Sequence, residues 1–169
     1  MAPPDGMIAR DFEIVVVRST KDVDCRELAR LEILAWGRQP SAIETEKRTA
    51  RIEAEVTAIH PRRKGFLVAR KAGRLVGCCR VVEDRNAPAQ WWLVGLAVHA
   101  DHRRRGVGRA LVLEGIACAR AHGAAVFRSE THADNQVSIR FHERLGFRNE
   151  GRFTAPDGDE KIAFSLNLV

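Results

Sequence analysis

Tyrosine is missing from this 169-residue chain, and aromatic residues of all kinds make up only 6% of it. No phenol is therefore available anywhere to give or take a proton. Cysteine is scarce as well, and Cys25, Cys78, Cys79 and Cys118 contain no Cys-x-x-Cys pair. Cys78 and Cys79, as neighbours in a strand, would point to opposite faces, and the four read as reduced, mostly buried small hydrophobes. His99 and His102 lie close together without a Cys or second His pair at ligand spacing, and no structural zinc is expected. No apolar run approaches the length of a membrane span. Met1 to Arg10 carries Pro and Asp where a secretory signal needs an apolar stretch, so the expected location is cytoplasmic.

With 45% hydrophobic and 30% charged residues, the chain has the composition of one globular domain over 1–169, residues 1–10 being expected as a flexible N-terminal tail. Net charge is +6, and Arg supplies 23 of the 28 basic residues. Only Arg62-Arg63-Lys64 and Arg103-Arg104-Arg105 are clustered. The first reads as a solvated turn before a strand, and one polyanionic ligand would account for the second. The basic residues lack the aromatic interleaving of a single-strand binding platform, which disfavours a nucleic-acid partner.

The apolar pattern alternates between the two periods. Phe12 to Val17 suits a first strand, and Ser19-Thr20 offers a helix start before Cys25 to Trp36. A second helix spans Ala42 to Ile59, whose Glu44/Arg48 and Lys47/Arg51 spacings suggest an ordinary solvated face. Pro61 closes it. Phe66–Arg70 and Leu75–Val82 form a hairpin around Gly73, and Trp91–Val98 is a further strand in which Trp91 and Trp92 face opposite ways. Val107 to Ala121 is a largely buried helix with Gly123 as its cap, followed by a strand at Ala125–Ser129. Asp134-Asn135 caps another helix, and Phe147–Phe153 and Ile162–Leu168 complete the pattern as two strands.

The most informative stretch is Leu96 to Leu111, LAVHADHRRRGVGRAL, where a strand runs through a basic turn into a helix. Gly106 and Gly108 let the backbone bring its N–H groups against a phosphate, the helix adds its positive end, and Arg103, Arg104, Arg105 and Arg109 add charge. A P-loop is excluded because no Gly-Lys-Ser/Thr follows, and a dinucleotide fingerprint because Leu111 stands at its third glycine. What remains resembles motif A of the GNAT superfamily of N-acetyltransferases, Gln/Arg-x-x-Gly-x-Gly/Ala. Downstream, Asn135, Ser138, Phe141, His142, Gly146 and Phe147 resemble that family's Asn-x-x-Ala-x-x-Phe-Tyr-x-x-x-Gly-Phe. The likeness is specific from about Arg74 to Phe147.

The resemblance implies an α+β fold of the three-layer α/β type: a mixed, mostly antiparallel sheet of about seven strands, helices on both faces, splayed between its central strands. It implies acetyl-CoA as cosubstrate, with Leu96, Ala97 and Val98 along the pantetheine arm and the Val98 N–H on the thioester carbonyl. Arg103, Arg104, Arg105, Gly106, Val107, Gly108 and Arg109 would take the pyrophosphate, and Asn135 would bond the cofactor or simply cap its helix. The implied activity is direct attack of an acceptor amine on the thioester; the alternative is a non-catalytic CoA-binding or sensing domain. His142 stands where the family places a tyrosine acid, and is read either as that acid or as a core histidine. Glu130, Glu83 and Glu32 are candidate bases by position. The acceptor, a small molecule, peptide or protein amino group, would enter near Trp36–Ser41 and the acidic Asp157–Glu160 turn. No metal and no membrane partner are expected, and a homodimer stays open.

Overall fold

The computed structural model describes residues 11–58 and 64–169. The expected N-terminal tail, Pro61 and the Arg62-Arg63 part of the first basic cluster lie outside these residues. The elements are β1 (Glu13–Val17), α1 (Cys25–Ala35), α2 (Ala42–Thr57), β2 (Lys64–Lys71), β3 (Arg74–Glu83), β4 (Gln90–Val98), α3 (Val107–Ala121), β5 (Val126–His132), α4 (Gln136–Arg144), β6 (Arg148–Thr154) and β7 (Glu160–Asn167). The sheet has seven strands in the order β1-β2-β3-β4-β5-β7-β6. Every pairing is antiparallel except β4 with β5. This is the fold class that the sequence pattern implied.

Each element begins or ends for a local reason. Asp24, rather than Ser19 or Thr20, caps α1, accepting from the Arg26 and Glu27 N–H groups, while Ser19 and Asp22 form a separate turn upstream. Ser41 caps α2 through the Glu44 N–H. Ala72 and Gly73 both adopt left-handed backbone, the geometry of a tight two-residue hairpin turn. Gly123 takes the same conformation just past α3, where a glycine closes a helix at no steric cost.

Two cores sit on the two faces of the sheet. One, built from α3, α4 and the strands beneath them, includes Trp91, Leu111, Phe127, Ile139, Phe147 and Phe164. The other joins α1 and α2 to the sheet through Leu28, Leu31, Ile52, Val56, Phe66 and Val68. The α2 face is largely solvated as expected, but the Glu44/Arg48 and Lys47/Arg51 pairings are corrected: Glu44 pairs with Arg38, Arg48 with Glu32, and Arg51 with Glu55. Sequence spacing alone could not show that α1 and the sheet bring other partners closer. No helix among the described residues is long and apolar enough to cross a membrane.

Helix α3 approaches the sheet closely at Gly115, where an added Cβ would lie 2.8 Å from Val81 Cγ1. Val81 is fully buried and β-branched, so it has no easy escape. Gly115→Ala should destabilise the fold by about 1 to 3 kcal/mol from overpacking, less the ~1 kcal/mol that Ala gains over Gly in a helix. Urea melts check this; adding Val81→Ala should cost less than the sum of the two single changes, and a stabilised Gly115→Ala protein would contradict the packing.

Candidate active site

Strands β4 and β5 hold together only at Gln90↔Val126, Trp91↔Phe127 and Trp92↔Arg128, then part. Within β4 the register against β3 slips by one between Arg80↔Val94 and Cys78↔Ala97, so β4 carries an extra residue there. Gly95, with φ +62°, supplies it in left-handed backbone, as a bulge of this kind requires. The His99 N–H donates to Val76 O on the β3 side. Because successive strand amides alternate edges, the Val98 N–H and, two residues back, the Leu96 N–H are directed toward the parted β5 side. Ala97 packs into the α1/α2 core instead.

The turn that follows β4 leads into the N-terminus of α3. Asp24, Ser41 and Asn135 each offer a side chain to the first turn of α1, α2 and α4, but α3 begins at Gly106 with no side-chain cap. Its leading N–H groups, from Val107, Gly108 and Arg109, thus keep their donors for a ligand. Arg104 and Gly106 are both left-handed, at φ 59° and 84°, which helps turn neighbouring amides toward one concave side. Arg104, Arg105 and Arg109 are exposed beside this turn. Arg103 is engaged elsewhere: its Nε donates to Val98 O at 3.2 Å and its Nη2 to Ala35 O at 2.8 Å. Asn135 spends its Oδ1 on the Ser138 N–H as the α4 cap.

His142 is enclosed in the core at 3% exposure, stacked on Phe164 with ring centroids 4.6 Å apart. Its Nδ1 lies 2.8 Å from the Ser138 carbonyl, so that nitrogen must carry the proton and donate. Nε2, 2.9 Å from Ser129 Oγ, then accepts the hydroxyl hydrogen. Burial pushes the imidazole below its ordinary value, against the opposing pull of the Ser138 bond. This is the geometry of a core histidine with both nitrogens occupied.

The three candidate carboxylates do not converge. Glu83 stands opposite Trp91, at the end of the sheet where β4 and β5 are still joined, the far end from Val98. Glu130, on the parted side, accepts from Lys161 Nζ at 2.8 Å. Glu32 is buried at 4% exposure and held by Arg80 Nη1 at 2.6 Å and Arg48 Nη1 at 3.0 Å. The acidic turn is engaged locally, since Asp157 Oδ1 accepts the Asp159 N–H, Glu160 accepts from Thr154, and Asp159 Oδ2 lies 3.7 Å from His132 Nδ1 on β5. Trp91 is fully buried, and Trp92 donates Nε1 to Asp84.

Glu32 belongs to a cavity of about 310 Å³ on the α1/α2 face; sequence reasoning expected the acceptor near its Trp36–Arg38 edge but missed the ring of arginines that lines it. Val94 and the Gly95 bulge line it, together with Trp36, and it is ringed by Arg38, Arg48, Arg51, Arg80 and Glu55. Burial raises the Glu55 carboxyl, but the Arg80 and Arg51 guanidiniums outweigh that and hold it below its usual range. Cys78 lies fully buried beneath the cluster, its thiol pushed up to about 12 by burial and by Glu32, so it is inert as a nucleophile. The available signals were a glycine inside a strand, an arginine inside the apolar Cys78-Cys79-Arg80-Val81 run, and a glutamate on the Leu28/Leu31 face of α1.

The model of the Acetyltransferase (GNAT) family matches residues 27–147. An L-amino acid N-acyltransferase of Escherichia coli is 28% identical over 140 residues, 78% of each chain. A GNAT-family protein from Desulfovibrio desulfuricans superposes with a TM-score of 0.75 at 22% identity, covering 94% of this chain and 99% of that one. An acetyltransferase structure from Salmonella typhimurium, solved with its cofactor acetyl-CoA, gives a TM-score of 0.70 at 20% identity, covering 94% and 95%.

The histidine geometry generates a pH test. A folded-state value below the unfolded one, about 6.5, means that the unfolded chain binds the proton more readily. The stabilising contribution is present above about pH 6.5 and is lost as pH falls below it toward the folded value. Urea melts from pH 5 to 7.5 should show this slope in the native protein and lose that part of it in His142→Phe. His142→Ala should cost about 3 to 5 kcal/mol, the range for emptying an aromatic site.

Proposed function

Because the chain belongs to the GNAT acetyltransferase family and is an acetyltransferase, we propose that it moves an acetyl group from acetyl-CoA to an amine that enters from the α1/α2 face. The observation that carries this reading is the pairing of two features at the end of β4: a strand edge parted from its neighbour and a helix left without a side-chain cap. A parted edge offers amides to an extended, amide-bearing arm, and the uncapped helix offers them to a pyrophosphate. Acetyl-CoA brings the acetyl group as a thioester, which a neutral amine can take by direct attack as the thiol leaves.

The chain's own part is positioning and polarisation. Val98 N–H is the donor we assign to the thioester carbonyl, a preorganised backbone contact of the oxyanion-hole type. Leu96 and Ala97 flank it along the arm; Arg104, Arg105 and Arg109 with the Gly106–Gly108 amides hold the pyrophosphate. Arg103 acts here as a brace between β4 and the end of α1. Asn135 keeps its side-chain NH₂ as a donor beyond its capping bond.

Neither proton step needs His142. A thiolate with a pKa near 8.5, taking cysteine as the model, is a tolerable leaving group. The proton shed by the amine goes to water in the open cavity, since Glu32 is tied to two arginines, Glu130 to Lys161, and Glu83 lies at the other end of the sheet. The acetyltransferase domain is assigned to the whole span 1–169, acting in the cytoplasm without a metal.

Acetyl-CoA at about 100 times its dissociation constant should stabilise the fold by about 2.7 kcal/mol. Gly108→Ala should fold normally, because its Cβ would meet Phe141 and Val98 at an ordinary 3.6 Å. It should nonetheless bind acetyl-CoA about tenfold more weakly or worse, or ~1.4 kcal/mol. Arg105→Ala should lose about 1.5 to 3 kcal/mol of that affinity, and the loss should shrink in high salt. Thermal melts and calorimetry measure both; unchanged affinity in all these variants would overturn the cofactor assignment. Release of free thiol from acetyl-CoA with an amine panel separates the enzyme from a domain that only binds the cofactor.

A further inference from the structure

The cavity beside the Gly95 bulge carries a charge that acetyl transfer alone does not call for. Four arginines and two glutamates line it, and with Arg38 paired to Glu44 an excess of one positive charge remains in a site meant for an amine. Resting on the N-acetyltransferase reading, we infer that the acceptor is a small aminocarboxylate, its carboxylate held by Arg48 and Arg51 and its amine facing the Gly95 bulge.

The ion pairs divide the arginines by what each has left to offer. Arg80 is the most committed: it gives Nη1 to Glu32 and Nε to Glu55, and its guanidinium lies 4.4 Å over the Phe66 ring. Its side chain is only 16% exposed, so it forms part of the wall. Arg48 gives one N–H to Glu32, and Arg51 gives its Nε to Glu55. A guanidinium has five N–H donors, so each keeps several directed elsewhere. The connected set of Arg48, Arg51, Arg80, Glu32 and Glu55 therefore has one cation beyond its carboxylates. One carboxylate would balance it, and the planar fork of arginine matches a carboxylate edge.

Buried Glu32 and half-buried Glu55 explain why these arginines can act as a receptor. Glu32 is fixed in the α1/α2 core and pins Arg48 from beneath, while Glu55 pins Arg51 one turn away on the same helix. Pinned guanidiniums lose less rotamer freedom on binding than free ones. Trp36, 61% exposed at the end of α1, and half-exposed Val94 give an apolar side chain something to lie against. A volume of about 310 Å³ is at the small end of ligand cavities, fitting a single residue better than a folded surface.

The test is thiol release from acetyl-CoA with free L-amino acids, their carboxamides, the decarboxylated amines of the same side chains, and O-phosphoethanolamine. Free acids should exceed the carboxamides and decarboxylated amines in kcat/KM by about 10- to 100-fold, the scale of a charge-assisted hydrogen bond. Arg48→Gln should shrink that ratio to within about threefold, and Arg48→Lys should restore part of it. Should Arg48→Gln not fold, Arg51→Gln, whose side chain is 73% exposed, carries the same comparison. Equal use of acids and carboxamides by the native protein overturns the inference and leaves the acetyltransferase standing, as does a preference for O-phosphoethanolamine. If no amine releases thiol although acetyl-CoA raises the melting temperature, it is the transferase reading that fails. Calorimetric titration with L-amino acids then decides the anion site: binding lost in Arg48→Gln sustains it, and absence of binding overturns it.

Discussion

Everything in this molecule that bears on chemistry depends on two parallel strands that cannot stay paired. β4 and β5 share three rows and then separate, and the separation has a local cause in the glycine bulge at residue 95. A bulge bends its strand and increases the local twist. Beyond it the inward and outward faces of β4 exchange: Trp91 and Leu93 belong to the α3 core, whereas Ala97 belongs to the α1/α2 core. The same residue therefore opens an edge of unpaired amides and turns the strand toward the helix that follows. A non-glycine residue there would meet both a left-handed backbone penalty and Arg80, whose Nη1 lies 3.0 Å from where a Cβ would sit.

The second constraint is electrostatic. A buried carboxylate such as Glu32 is costly to remove from water unless it is paired, and two arginines on different elements supply the pairing. Arg48 comes from α2 and Arg80 from β3, so the pair ties both helices of one face to the sheet beside the bulge. Burial alone would favour neutralising Arg80, yet the Glu32 and Glu55 carboxylates beside it raise its pKa, keeping it charged. The cluster is thereby rigid and open on one side. An enclosed structural network would be expected to balance its charges; this one, facing a cavity, does not.

Much of the fold could be read from the chain because its local signals agree with the tertiary outcome. The apolar periods of α1 and α3, the Ala72-Gly73 turn, the glycine past α3 and the Asn135 cap each act over a few residues, and all are found as read. The glycine turn that leads into α3 was legible for the same reason. The cavity was not, since it is assembled from α1, α2, β3 and β4, and its partners are as far apart as Glu32 and Arg80. Glu44/Arg48 illustrates the failure: the spacing fits a helical pair, but Arg48 finds a buried carboxylate on another helix. His142 shows the converse limit. A motif position specified where the ring would stand, and only the packing of Phe164, Ser129 and the Ser138 carbonyl around it decides what the ring can do.

Arg103 joins the two halves of the site. Helix α1 has no basic residue in its last turn, and its C-terminal carbonyls need donors. One comes from 68 residues away, as the Arg103 guanidinium reaches Ala35 O while also holding Val98 O at the end of β4. Trp36, the next residue after Ala35, lines the cavity, and Val98 is the strand residue whose amide is directed into the parted edge. The turn that leads into α3 begins at Arg103 itself. A shift of that turn therefore cannot leave the cavity wall in place without lengthening one of these two hydrogen bonds, so the end of β4 and the cavity wall are coupled through this side chain as well as through the Ala97 packing in the core.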